Sequence, residues 1–208
     1  MAPPDYWLFV VFAVPVVEGV FFTVVTVGGQ HLGYEYDPEH QYLIHVVYVY
    51  AAVAVLVGVA GLDPHLAFAW PYLAALLLGA AMYHVDTFAW TRATGTEANY
   101  GGQSLLATAP AVLSAPAEEI VFRAGLAPLI DAWGPVAFVV ASAGLFGAVH
   151  IIQRPREVVL KSINGVVYCA LFLATGSVVA PALAHLGHNA AYVRVATGAS
   201  SGAQWTQG

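Results

Sequence analysis

PVAFVVASAGLFGAVHII, Pro135 to Ile152, contains no charged side chain. An apolar stretch of about 18 residues is long enough to cross a bilayer as a helix. It is also too continuously apolar for a barrel strand, whose lipid-facing and lumen-facing residues would alternate. Reading outward in both directions finds the same pattern at Tyr6–Gly28, Leu43–Gly61, Leu66–Trp90, Ser104–Ile130, Val158–Thr175 and Ser177–Ala196. The expected fold is all-α, a polytopic helical membrane protein with seven transmembrane helices. The count becomes eight if Pro110 and Pro116 split the fourth run in two. Turn chemistry marks connections at LDPHL (62–66) and DAWGP (131–135).

Composition agrees. Of 208 residues, 60% are hydrophobic and only 9% charged, where a soluble domain spends about a quarter of its residues on charge. A chain with so little polar surface is expected to be an integral membrane protein, here of the cell membrane, with the lipid bilayer as its surroundings. Twelve acidic residues against six basic ones leave a net charge of −6, which argues against nucleic acid as a partner. Acidic loops with Lys161 as the only lysine fit a halophilic, archaeal type of source. Cys169 is the only cysteine, so neither an intrachain disulfide nor a thiolate zinc cage can form; in its apolar run it reads as a small buried hydrophobe.

The first residues, MAPPDYWLFV, lack the basic start of a secretory signal, and the run that follows is long enough to span. With the N-terminus outside, Arg92, Arg154, Arg156, Lys161 and Arg194 all fall at cytoplasmic ends. Trp7, Trp70, Tyr72 and Trp90 fall near span ends, where interfacial anchors belong. The small, polar segment 197–208 reads as a disordered tail.

Against this background APAEEIVFRAG, Ala115 to Gly125, places three charges inside an apolar run. Charge in hydrocarbon costs roughly 2.5–3.5 kcal/mol per residue on insertion scales, and it marks function or an ion pathway. On a helix Glu119 and Arg123 share a face at i, i+4 and form a natural ion pair. Glu118 points about 100° away. The motif therefore divides into a held acid–arginine pair and one carboxylate available as a general base or acid. The bland alternative is that all three charges only lock helices together.

Two further groups follow. In FGAVH, Phe146 and His150 share a face; in HLGHN, His185 and Asn189 do, and His188 does not. Each fits interhelical hydrogen bonding. The second also lets an imidazole and a carboxamide aim at one point, as ligand and orienter or as paired donors.

EExxxR, FxxxH and HxxxN, in that order and on apolar helices, are the motifs of the CPBP intramembrane proteases, and the chain resembles that family. The family includes the CAAX-processing enzymes and the bacteriocin-immunity relatives called Abi proteins. The resemblance covers residues 104–196, leaving 1–103 as N-terminal transmembrane helices without a matched motif. It implies an endopeptidase that cleaves a membrane-associated protein or peptide. Glu118 would activate water with His150 beside it, and Glu119 and Arg123 would position the motif helix. His185 and Asn189 would stabilise the oxyanion, and Phe146 would shape the site. Glu118, His150 and His185 could also hold a divalent metal such as zinc and leave a fourth position for water. Equally, Glu118 could act directly with no metal. The rival is a non-proteolytic immunity or scaffold protein, or a small-solute carrier with a proton relay through Glu118. A carrier would more readily show two related halves, and none is apparent. Glu18 is a lone acid in the first span, able to line the cavity or pair with another helix; His84 and Asp86, two apart, face different directions, and His45 sits at a span's edge.

Overall fold

The structure is a computed structural model of the chain and describes residues 6–34, 41–95, 102–151 and 157–198. Arg154, Arg156, positions 35–40 of the long acidic connection and positions 199–208 of the tail lie outside the described residues. Among the described residues the regular structure is helical, without a strand.

The first rod opens with a turn at Tyr6–Leu8, widens into a π turn at Phe9–Ala13, and continues as α1, Val14–His31. Pro15 stands in the first turn of α1. A proline ring crowds the carbonyl four residues back, and the wide turn before it takes up that misfit. Then come α2 (Gln41–Gly58), a 3₁₀ turn at Trp70–Tyr72 leading into α3 (Leu73–Thr94), and α4 (Leu105–Glu119), which runs on through a π turn at Ile120–Ala124. The remaining helices are α5 (Pro128–Val149), α6 (Val158–Thr175) and α7 (Val179–Gly198).

Two details concern the fourth and fifth runs. Pro110 and Pro116 sit inside α4 without splitting it; each forfeits one backbone bond, but packing by neighbouring helices holds the rod. The fourth run breaks later, after Ala124, and its last residues join α5. DAWGP does mark a break, as expected: Gly134, at φ 86° and ψ 168°, interrupts α5 and Pro135 begins its second part. LDPHL does form the expected turn: Asp63 Oδ1 accepts from the His65 backbone N–H at 2.9 Å. Ser104 caps α4 by accepting from the Ala107 N–H at 3.1 Å.

Four of the described helices are long and apolar enough to cross a membrane: Trp70–Thr94, Leu105–Ala124, Pro128–Val149 and Val158–Thr175. The other expected spans are helical too, but α1 carries Glu18 and α7 carries two histidines and an asparagine, and these side chains are buried within the bundle. Large apolar side chains such as Leu77, Phe88, Val136 and Val140 face outward, as a lipid-facing surface requires. Helix α7 lies at the centre, packed on α3, α4 and α6; α4 also packs on α2, α5 on α6, and α1 touches α2 and α5.

The α3–α7 crossing is close because it is made of small residues. A Cβ on Gly79 would stand 1.7 Å from the Ala184 carbonyl oxygen, and one on Gly187 would stand 2.0 Å from that of Leu76. Glycine at both positions lets the backbones approach, and this approach brings Asp86 on α3 against His188 on α7.

Candidate active site

The site begins with the divergence of two adjacent carboxylates on α4. Glu119 turns inward, fully buried, and its Oε2 lies 3.0 Å from Arg123 Nε. That contact is close enough for an ion pair but off the line of a hydrogen bond, so its attraction is mainly coulombic. Arg123 is also fully buried. Its Nη2 donates to the Gly165 carbonyl at 3.3 Å, and the guanidinium lies 4.7 Å from the Phe146 ring and 5.3 Å from that of Tyr168. The π turn that carries Arg123 closes with the Gly125 N–H on the Ile120 carbonyl, and Ser142 Oγ donates to the Phe122 carbonyl at 2.8 Å. The charge pair is thus clamped by backbone, aromatic faces and a hydroxyl.

Glu119 does more than hold Arg123. Its Oε1 accepts from His185 Nδ1–H at 2.9 Å, and the His185 ring stacks on Tyr168 with centroids 5.0 Å apart. An ionised carboxylate only accepts, so the proton of that bond sits on Nδ1. Nε2 is left to face the space in front of α4.

Glu118 faces that same space. It is buried, and its Oε1 accepts from His45 Nε2–H at 3.0 Å. The other nitrogen of His45 is bonded to Glu18. Glu118 Oε2 has no hydrogen-bond partner among the described residues; His185 Nε2 stands 4.0 Å away. These groups open onto a cleft of ≈ 870 Å³, counting the solvent at its mouth. His45, Glu118, His150, His185 and Asn189 all line it.

The far wall is also organised. His150 Nδ1–H donates to the Phe146 carbonyl at 2.7 Å, which leaves Nε2 for the cleft. Asn189 Nδ2 donates to the Ala111 carbonyl at 2.7 Å, and its Oδ1 accepts from His188 Nδ1–H at 3.3 Å. The Ala111 carbonyl, which can only accept, fixes which end of the carboxamide is nitrogen, and one Nδ2 hydrogen remains for a ligand. Behind it, His188 Nε2 faces Asp86 Oδ2 at 3.0 Å, and Asn164 Nδ2 donates to the same oxygen at 2.6 Å. Lys161, the only lysine of the chain, lines the cleft as well.

The residues singled out in the sequence therefore fall into two groups. Glu118, His150, His185 and Asn189 reach the cleft, while Glu119, Arg123 and Phe146 form the packed layer behind it. Glu118 does not stand alone, because His45 and, behind it, Glu18 accompany it. Spacing in sequence could not show this: the contacts join positions 73 and 27 residues apart. Asp86, Asn164 and His188 escape for the same reason, and His188 lines the cleft although it lies off the His185–Asn189 face. The only available signal was a polar residue inside an apolar run, which Glu18 satisfied. Cys169 is buried and plays no part in the cleft.

As arranged here, the donor set does not assemble a metal site. Among the described residues no group of three or more His, Cys, Asp and Glu side chains is placed to hold a metal ion.

The segment carrying α4 through most of α7 also matches a known family. Residues 101–191 match the family model of the type II CAAX prenyl endopeptidase, Rce1-like. This segment is similar to that family over less than half of the chain. No curated protein and no solved structure matches the chain. The matched segment contains the EExxxR, FxxxH and HxxxN residues, while Glu18, His45 and Asp86 belong to helices before it. The matched family is described as type II CAAX prenyl endopeptidases, and four of the described helices of this chain are long and apolar enough to cross a membrane.

Proposed function

We propose that this chain is an intramembrane endopeptidase in which Glu118 activates a water molecule for attack on a peptide bond of a membrane-associated protein or peptide. The observation that carries this reading is the unpartnered Glu118 Oε2, 4.0 Å from His185 Nε2 at the wall of an open cleft. With Nδ1–H engaged by Glu119, a neutral His185 presents a lone pair at Nε2, so two acceptors face one another. One water donating a hydrogen to each spans a gap of roughly 4–4.5 Å. It then aims its own lone pairs into the cleft.

The proposed reaction takes water as nucleophile. Its oxygen bonds to the scissile carbonyl carbon while Glu118 Oε2 takes a proton. The oxyanion meets the second Nδ2 hydrogen of Asn189, which the Ala111 carbonyl and His188 hold in place. The second hydrogen of the attacking water, already hydrogen-bonded to His185 Nε2, passes to that nitrogen. His185 Nε2–H then donates to the oxyanion while the Glu119 carboxylate on Nδ1–H stabilises the charged ring, and this proton leaves with the amine product. Collapse breaks the C–N bond, and the proton gathered by Glu118 passes to the leaving amine, with His150 Nε2 at the same cleft to assist. The two products are a carboxylate and an amine. No step is routed through a metal. Chelator treatment with metal analysis of the purified protein tests whether hydrolysis needs one.

Purified protein in detergent or lipid, incubated with a peptide library and read by mass spectrometry, tests the reading. Wild type should cleave, and Glu118→Gln should lose at least about 100-fold in kcat, the lower range for removing a general base. Hydrolysis that survives Glu118→Gln undiminished would overturn it.

A further inference from the structure

Glu18 on α1 and His45 on α2 are buried, 2% and 7% exposed, and both lie outside the matched segment. They are not merely near the site. His45 spans the interval between Glu18 and Glu118, one ring nitrogen bonded to each carboxylate. The crossing that carries them is fastened next to the pair by Tyr48, whose hydroxyl donates to the Val14 carbonyl at 3.0 Å.

We infer that Glu18 and His45 are positioning residues for the proposed general base, holding Glu118 so that only Oε2 is presented to the cleft. A glutamate on its own has three rotatable bonds and two equivalent oxygens, and it loses directional preference when unsupported. The His45 N–H occupies Oε1. The ring is prevented from turning away because its other nitrogen is held by a second buried carboxylate. A carboxylate orienting an imidazole that in turn aligns the reacting group is the logic of hydrolytic triads, here with a carboxylate as the group aligned. The N-terminal helices thereby complete a site whose other parts come from the matched segment. This inference rests on the reading of Glu118 as the base.

The simpler alternative is that the trio only ties three helices together. The two differ in kinetics. With a peptide that wild type cleaves, the full chain is assayed as His45→Leu, His45→Gln, Glu18→Gln and Glu118→Gln, together with a thermal unfolding curve for each. A positioning role predicts that His45→Leu lowers kcat by about 10- to 100-fold, the effect of a small misplacement of a reacting group, with KM within about twofold. His45→Gln, whose amide N–H can still reach Glu118, should recover roughly tenfold of that loss. Glu18→Gln, close in shape and with little effect on melting temperature, should lower kcat by about three- to tenfold while leaving KM unchanged. If His45→Leu does not fold, His45→Gln and Glu18→Gln decide the matter.

Wild-type kcat in Glu18→Gln and in the folded position-45 variants, or equal kcat for leucine and glutamine at position 45, overturns the positioning role. The Glu118→Gln arm separates the two failures. Full activity in Glu118→Gln removes the base assignment and the inference with it. An inactive Glu118→Gln beside a fully active His45→Leu removes the inference alone.

Discussion

Replacing Arg123 by methionine tests whether the buried charge pair is a clamp or part of the chemistry. Methionine fills much of the volume but leaves Glu119 without its cation. Removing one partner of a buried ion pair costs about 3–5 kcal/mol. Glu119 keeps His185 Nδ1–H at 2.9 Å, so the lower end, about 3 kcal/mol, applies. Loss of the guanidinium from the Phe146 and Tyr168 faces, 4.7 and 5.3 Å away, adds about 1 kcal/mol. The total of about 4 kcal/mol corresponds to a fall of about 8–16 °C in melting temperature for a chain of this size. Thermal unfolding in a single detergent, followed by tryptophan fluorescence and by the monodisperse fraction on gel filtration, reads the change. The double variant Glu119→Gln/Arg123→Met removes both charges and should recover about half the loss, because no buried ion is left uncompensated. An Arg123→Met protein that melts within about 2 °C of wild type yet does not hydrolyse peptide would refute the clamp and place Arg123 in the chemistry.

Other outcomes follow from the same geometry. Asn189→Ala should lower kcat by about 100- to 1000-fold, the cost of losing one oxyanion donor, while melting temperature falls far less than in Arg123→Met; steady-state kinetics and unfolding curves on one preparation check both. Gly187→Ala drives a methyl into the Leu76 carbonyl, 2.0 Å away, and should destabilise by about 1–3 kcal/mol or more by forcing α3 and α7 apart. Its activity should fall too, since the same crossing holds Asp86 against His188, and a thermal shift within error of wild type would contradict the close approach.

Several features of the fold were legible because their causes are local. A bilayer span needs a run of apolar residues, and runs can be counted, so all seven expected segments correspond to helices. Val158–Thr175 agrees to the residue because a charged flank and Gly176 bound it. Pro110 and Pro116 leave α4 continuous because a proline's damage is local while its compensation is not: the packing that holds α4 comes from helices distant in sequence. The break at Gly134 was legible because its cause is local, a glycine at positive φ followed by a proline.

The site divides along the same line. The separation of Glu118 from the Glu119–Arg123 pair follows from 3.6 residues per turn, and the sequence alone determined it. So did the sharing of a face by His185 and Asn189 and the apolar character of the seven segments. Only the tertiary structure decided who accompanies Glu118. The bonds from His45 to Glu118 and Glu18, and from His188 to Asp86, join helices whose relative rotation is set by packing. Glycines at the α3–α7 crossing set one of those approaches. No period or spacing along the chain encodes the angle between two helices, and that angle determines whether a buried histidine meets a carboxylate or only lipid.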